Sequence, residues 1–227
     1  MIPIRDDAPR STTPFVNYFL IALNVLVFLF KASLTDHNQA VFDFTFGLVP
    51  VRVDEWLGGS RSFAEAVVPF FTSMFLHGGW LHLIFNMWAL VIFGDNVEDR
   101  LGHFRYLLFY LTTGLVAGLT QYAVDAHSRV PTVGASGAIA GIMGAYFVLF
   151  PSARVLTWFG FFILWLPAWL VLGYWFIVQF LSGAATAISS TSERGGIAFW
   201  AHVGGFVSGL LLIKLFPARQ RYYSFES

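Results

Sequence analysis

Apolar positions in this chain run in long blocks rather than in short amphipathic stripes. Against roughly 20 apolar residues per bilayer crossing, the blocks predict six spans, at about 15–32, 80–97, 104–123, 134–150, 167–186 and 198–216. The expected fold is therefore all-α: a polytopic membrane bundle over 15–216, between a short segment 1–14 and a tail 217–227. The connection from about 33 to 79 is the one sizeable extramembrane element, and it is expected to hold short interfacial helices rather than a separate domain. The stretch from Val155 to Leu166 is apolar but cut off from the fifth block by Pro167, which leaves two readings: an extension of the fifth helix, or an interfacial segment. Nothing repeats at a fixed period and no low-complexity linker occurs, so one bundle is expected.

Composition supports the membrane reading. The 227 residues are 57% apolar and only 11% charged, against about 25% charged in an average soluble domain. Formal net charge is zero and no block of like charge exists, so a nucleic-acid partner has no electrostatic support. Cysteine is absent, which excludes disulfides and thiol catalysis. Met1 to Pro14 lacks the Arg-rich, acid-poor bias of a transit peptide, and the first apolar run has no small-residue cleavage site, so no cleavable leader is expected. An even number of spans puts both termini on one side. Arg5, Arg10, Arg100, Arg105, Arg154, Lys214, Arg219 and Arg221 lie on that side, against Lys31, Arg52, Arg61, Arg129 and Arg194 on the other. That excess predicts cytoplasmic termini. A plasma membrane, best of all a bacterial inner membrane, is the expected location.

Polar side chains inside spans are costly and by default mark function. Here they gather at one level. His77, His82 and Asn86 lie at the start of the second span, Ser136 at the start of the fourth and His202 at the start of the sixth. With cytoplasmic termini every even-numbered helix runs inward, so all of these residues fall near the external face. His82 and Asn86, at i and i+4, share a helix face, whereas His77 would have to join them from the loop. The fourth span is bracketed by Pro131 and Pro151, and Ser136 to Phe150 covers only about 22 Å of roughly 30 Å of hydrocarbon. Ser136 is then sunk on the order of 8 Å below the outer boundary, in a hydrated cavity. Gly137, Gly141 and Gly144 on the fourth helix, with Gly205 and Gly209 on the sixth, permit close helix approach. A serine hydroxyl is a weak nucleophile until a base takes its proton, and neutral imidazole is the usual base. Asp125 and Glu193 are loop residues, so a Ser136–His202 dyad is expected rather than a triad. The helix N-terminus below Ser136, with His82 and Asn86, would supply oxyanion donors.

These motifs resemble the rhomboid family of intramembrane proteases. The residues that carry the likeness are Gly134-Ala135-Ser136-Gly137; Ala201-His202-Val203-Gly204-Gly205 with Gly209; His77, His82 and Asn86 in FLHGGWLHLIFNM; and the run Gly94 to Gly102, with Glu98 and Gly102 in a Glu-xxx-Gly motif. The likeness covers about residues 60–216. It implies a six-helix core, a Ser136–His202 dyad, an oxyanion site with His82 and Asn86 and with His77 as a further candidate, no metal or cofactor, and single-pass transmembrane proteins as substrates. Members often carry an aromatic four residues after the serine that stacks on the histidine; here that position is Ala140, and Tyr146 is too far along the helix to replace it. The first loop also lacks a Trp-Arg pair, offering only Trp56.

Blander readings compete. A lone serine near a helix end usually caps or packs, and Glu98, beside Asp99 and Arg100, suits a structural role with Gly102. Gly134, Gly137, Gly141, Gly205 and Gly209 are read as packing devices. Three histidines at one level offer a zinc site as a rival reading, but HExxH is absent and no carboxylate sits at ligand spacing. A transporter would line the whole membrane depth with polar groups, and here they stop within one leaflet. The remaining alternative is a catalytically inactive rhomboid-like protein that binds membrane clients.

Overall fold

Four helices in the computed structural model, which describes residues 1–188 and 198–217, are long and apolar enough to cross a bilayer: Phe15–Ala32, Trp80–Leu101, His103–Val124 and Ala168–Thr186 within a helix that runs on to Ile188. Arg194, Arg219 and Arg221, counted among the flanking cations, and Glu193, taken as a loop acid, lie outside the described residues. In chain order the helices are α1 (Phe15–Ala32), α2 (Asp36–Phe46), α3 (Val51–Leu57), α4 (Phe63–Val67), α5 (Pro69–Thr72), α6 (Trp80–Ala89), α7 (Asp95–Leu101), α8 (His103–Val124), α9 (Ser136–Leu149), α10 (Ala168–Ile188) and α11 (Phe199–Leu212). A π-helical stretch, Leu90–Gly94, joins α6 to α7, so Trp80–Leu101 is one continuous helix, long enough for a single span, with a local change of winding.

The first connection folds as short helices, and its polar residues say why. Thr35 caps α2 by accepting the Asn38 N–H, and Ser62 with Glu65 forms a complete capping box on α4. Pro69 sits in the first turn of α5, where its missing N–H costs nothing. Lys31, in the last turn of α1, is buried and turns inward: its Nζ donates to Asp43 of α2 and, at 3.0 Å, to the His77 carbonyl. One cation thus ties the end of the first span to the connection and to the site's edge.

α9 is the axis of the bundle. From Gly137 through Tyr146 every residue is buried, and α8, α10 and α11 pack around it. The approach of α11 depends on glycine: a Cβ on Gly205 would collide with the Gly137 carbonyl oxygen, and one on Gly209 with that of Gly141. In lipid, where apolar burial offers little drive between helices, such backbone contact is what selects the pair.

The all-α expectation needs correction. Residues Ile2–Asp6, Arg154–Phe159 and Phe162–Pro167 form β1, β2 and β3 of an antiparallel sheet in the order β1-β2-β3. Of the two readings of Val155–Leu166, the helix extension is therefore overturned: the segment is a hairpin, with Phe159 opposite Phe162 across a two-residue loop. Gly160 opens that loop at φ 60°, the conformation a type II′ turn demands of its first central residue. One face of β2, Val155 and Thr157, is fully buried, while Trp158 and Phe159 are exposed. Both faces carry apolar residues, so the alternation that normally betrays a strand is missing.

The segment 1–14 is likewise built into the molecule. Beyond β1, Trp88 Nε1 donates to the Pro3 carbonyl, Asn96 Nδ2 to that of Ala8, and Ser11 and Thr12 hydroxyls to Asp99. Glu98 then receives the N–H groups of Val16 and Asn17 at 3.0 and 2.7 Å. Pro14, the residue at the N-cap of α1, offers no side-chain acceptor, and Glu98 of α7 caps that helix from outside.

Candidate active site

Ser136 is the first residue of α9, so the amides of its first turn have no intrahelical acceptor and point outward from the positive end of the helix dipole. The loop that delivers it is pinned on both sides. Leu48 and Thr132 form an isolated antiparallel bridge, and the Gly134 N–H donates to the Ser73 carbonyl at 2.9 Å. Gly134 has φ 135°, a backbone state that excludes most side chains, and a Cβ there would press on the His82 ring, 2.7 Å from Nε2. Its place is thus in the turn facing His82, ahead of the helix, and not in the helix packing expected of it. Gly137 and Gly141 do pack, against Ala117 and Thr113 of α8 as well as against α11.

His202, in the first turn of α11, is buried, and its Nε2 stands 2.7 Å from Ser136 Oγ. Its other ring nitrogen, Nδ1, is 2.7 Å from Gln179 Oε1 on α10, and the Trp175 ring lies 5.8 Å away, centroid to centroid, tilted by 37°. Ala140 is fully buried, and its Cβ lies 3.2 Å from where a Cβ on Gly205 of α11 would stand. Sequence reasoning missed Trp175 and Gln179. The signal was present, since Gln179 is an amide in a largely apolar helix with an aromatic one turn earlier, and an unpaired amide is expensive there.

His82, Asn86, Ser136 and His202 border one cavity of about 600 Å³, which also reaches Trp175 and Phe85. Asn86 is buried and its Nδ2 donor has no partner. The Gly78 N–H approaches His82 Nδ1 at 3.4 Å, which makes Nδ1 the acceptor and leaves Nε2–H as a donor. His77 is not among the residues lining this cavity. Its side chain is fully buried edge-on to His82, 5.1 Å between ring centroids, with neither nitrogen hydrogen-bonded. Burial, then the neighbouring His82 and Lys31, push its pKa down to about 3, so it is a neutral packing ring. Glu98 and Gly102 stand apart from the cavity, Glu98 at the α1 cap and Gly102 at φ 80° in the break between α7 and α8.

A family profile described as "Rhomboid domain" matches residues 64–219, more than half of the chain. This chain belongs to the rhomboid family. Among curated relatives, Rhomboid protein 1, mitochondrial, of Saccharomyces cerevisiae is 29% identical over 156 residues, covering 66% of this chain and 42% of that protein. The Putative rhomboid protease YdcA of Bacillus subtilis is 32% identical over 130 residues, covering 56% and 59% respectively. Rhomboid-like protein 11, chloroplastic, of Arabidopsis thaliana is 36% identical over 152 residues, covering 64% and 51%. This rhomboid chain thus spans about half the length of these relatives. Their names place them in mitochondria and chloroplasts as well as in a bacterium, so the expectation of a bacterial inner membrane finds no support; what stands is a rhomboid protein of a membrane.

Proposed function

We propose that this rhomboid is an intramembrane serine endopeptidase that cleaves single-pass transmembrane proteins. The observation that carries the proposal is the 2.7 Å contact between Ser136 Oγ and His202 Nε2 at the wall of a cavity. As the substrate carbonyl carbon bonds to Oγ, the hydroxyl proton passes to Nε2, and the carbonyl electron pair becomes an oxyanion. First-turn amides of α9, Asn86 Nδ2 and His82 Nε2–H are the donors for it. The imidazolium then returns its proton to the leaving amine nitrogen as the C–N bond breaks, and water, activated by the same nitrogen, hydrolyses the acyl-serine. No residue of this sequence requires a metal or cofactor for these steps.

The membrane arrangement belongs to the same proposal. α9 and α11, at 14 residues each, extend about 21 Å and cross with the four longer helices as a six-span core. Both termini then lie on one side of the membrane, and Ser136, starting a helix too short for the bilayer, is recessed below the boundary of the opposite side in contact with water. The bilayer is the second partner, and substrate helices enter from it.

Cleavage of a model single-span substrate by the purified protein in liposomes is expected, with serine-directed fluorophosphonate labelling at Ser136. Ser136→Ala and His202→Ala should abolish cleavage while the thermal transition persists. Binding of the substrate without cleavage or labelling by the wild-type protein would point instead to an inactive client-binding rhomboid.

A further inference from the structure

Gln179 contributes to α10 what neither an acid nor Ala140 contributes to the site. α10 is exposed along much of its length at Tyr174, Ile177, Val178, Phe180 and Leu181, so nothing in its apolar character calls for an amide. An amide in such a helix costs a few kcal/mol if unpaired, and this one is paired with the imidazole that also touches the serine. The register between the helices is fixed twice over. Phe176 stacks on Phe206 of α11 at 4.8 Å and 26°, and Trp175 lies against both His202 and Phe206. Trp175 and Gln179, one turn apart, therefore meet one ring with two different chemistries: an apolar face and an acceptor.

We infer that Gln179 is a positioning residue for catalysis, its side-chain carbonyl holding the His202 Nδ1–H so that Nε2 presents its lone pair to Ser136. The inference rests on the protease reading and deepens it. Neutral imidazole carries one proton on either nitrogen, and only the Nδ1–H form can accept from the serine hydroxyl at Nε2. Were the amide turned to present its NH₂, Nδ1 would be the acceptor, Nε2 would carry the proton, and the base would be lost. An amide oxygen fixes the tautomer as a carboxylate does in a triad, but with no charge to stabilise the imidazolium. Ser136, His202 and Gln179 thus form a hydrogen-bonded chain in which Gln179 orients and carries no proton, with Trp175 confining the ring.

Two measurements test this. In protein carrying ¹⁵N-histidine, the His202 resonances, recognised by their loss in His202→Ala, should report protonated Nδ1 in the wild type and a mixture of tautomers in Gln179→Leu. That arm needs no turnover. In the cleavage assay Gln179→Leu should lower kcat about tenfold to a hundredfold with KM little changed. Gln179→Glu should restore most of the rate and move the acidic limb of the kcat profile upward by about one pH unit, because a carboxylate beside the imidazole stabilises its protonated form. A wild-type His202 protonated on Nε2, or a folded Gln179→Leu protein with unchanged kcat and pH profile, overturns the role of Gln179. A protonated Nδ1 in a protein that neither cleaves nor labels would leave the tautomer lock standing and refute the protease reading alone.

Discussion

Asn86 and His77 show how little residue type alone says about a residue's role. Both are buried polar groups near the cavity with unpartnered nitrogen, yet Asn86 lines the cavity and His77 does not. Asn86→Ala is expected to lower kcat by about ten- to a thousandfold with a smaller change in KM, since an oxyanion donor acts on the transition state; steady-state cleavage in liposomes reads this. His77 makes a stability prediction instead. Its imidazole stays neutral in the fold down to about pH 3, whereas the ordinary value is 6.5. Between those values the unfolded chain binds a proton that the folded chain does not. The fold's stability is therefore whole above about pH 6.5 and falls as pH drops through that window, by roughly 2 kcal/mol at pH 5 from this group. His77→Leu should flatten the loss of thermal stability between pH 7 and pH 5 and leave kcat nearly intact. A pH dependence identical to the wild type would refute this account. Ser136, His202, His82 and Asn86 were legible in the sequence because polar side chains in apolar blocks are rare. Gln179 was equally conspicuous by that rule, but its partner lies 23 positions away on a neighbouring helix, and spacing along one chain cannot supply a contact between two.

At the scale of the elements, the α9–α11 pair and the β2–β3 hairpin are opposites in what the sequence reveals. Small residues at four-residue intervals announce a close helix pair, and Gly205 and Gly209 meet the backbone of Gly137 and Gly141 as that pattern predicts. The hairpin gave no alternation, since its outward face is as apolar as its inward one, and only Gly160 marked the turn. The same contrast yields a paired prediction. Gly205→Ala forces a methyl into a backbone carbonyl, so it should cost at least 1–3 kcal/mol, on the order of ordinary overpacking or more, and it should depress cleavage further than stability, because His202 sits three residues earlier on the displaced helix. Gly160→Ala should cost only about 1 kcal/mol of turn strain, with nothing near its side to collide with and the dyad untouched. Equal losses of activity in the two variants, at matched fractions folded, would remove the link between helix approach and the Ser136–His202 contact.

Across the whole molecule the first seventeen residues act as a strap under one end of the bundle, and Glu98 is its fastening. Two backbone amides of α1 converge on that carboxylate, which is fully buried and also touches His103. Around it Asn17 Nδ2 donates to the Leu90 carbonyl within the π-helical stretch, and Tyr106 Oη donates to Asn17 Oδ1 at 2.8 Å. Further out, Tyr146 at the far end of α9 donates to Asp6 of β1. The strap therefore joins the sheet, α1, the π-helical stretch and the central helix through side chains of which Asn17, Glu98, Tyr106 and Tyr146 are buried. Removing one acceptor there strands buried amides, each at about 1–3 kcal/mol. Glu98→Ala should accordingly lower stability by roughly 2–5 kcal/mol, and Glu98→Gln by less, because one carbonyl oxygen remains to accept. Glu98 lies 98 − 86 = 12 positions beyond Asn86 on the same continuous span, about 18 Å away along the axis. At temperatures where both variants are folded, their kcat should match the wild type. Thermal unfolding in detergent, monitored beside cleavage at a common folded fraction, separates the two quantities. An unshifted transition in Glu98→Ala would show that α1 does not need this cap, and a lowered kcat without a lowered transition would make the strap part of the catalytic apparatus rather than its anchor.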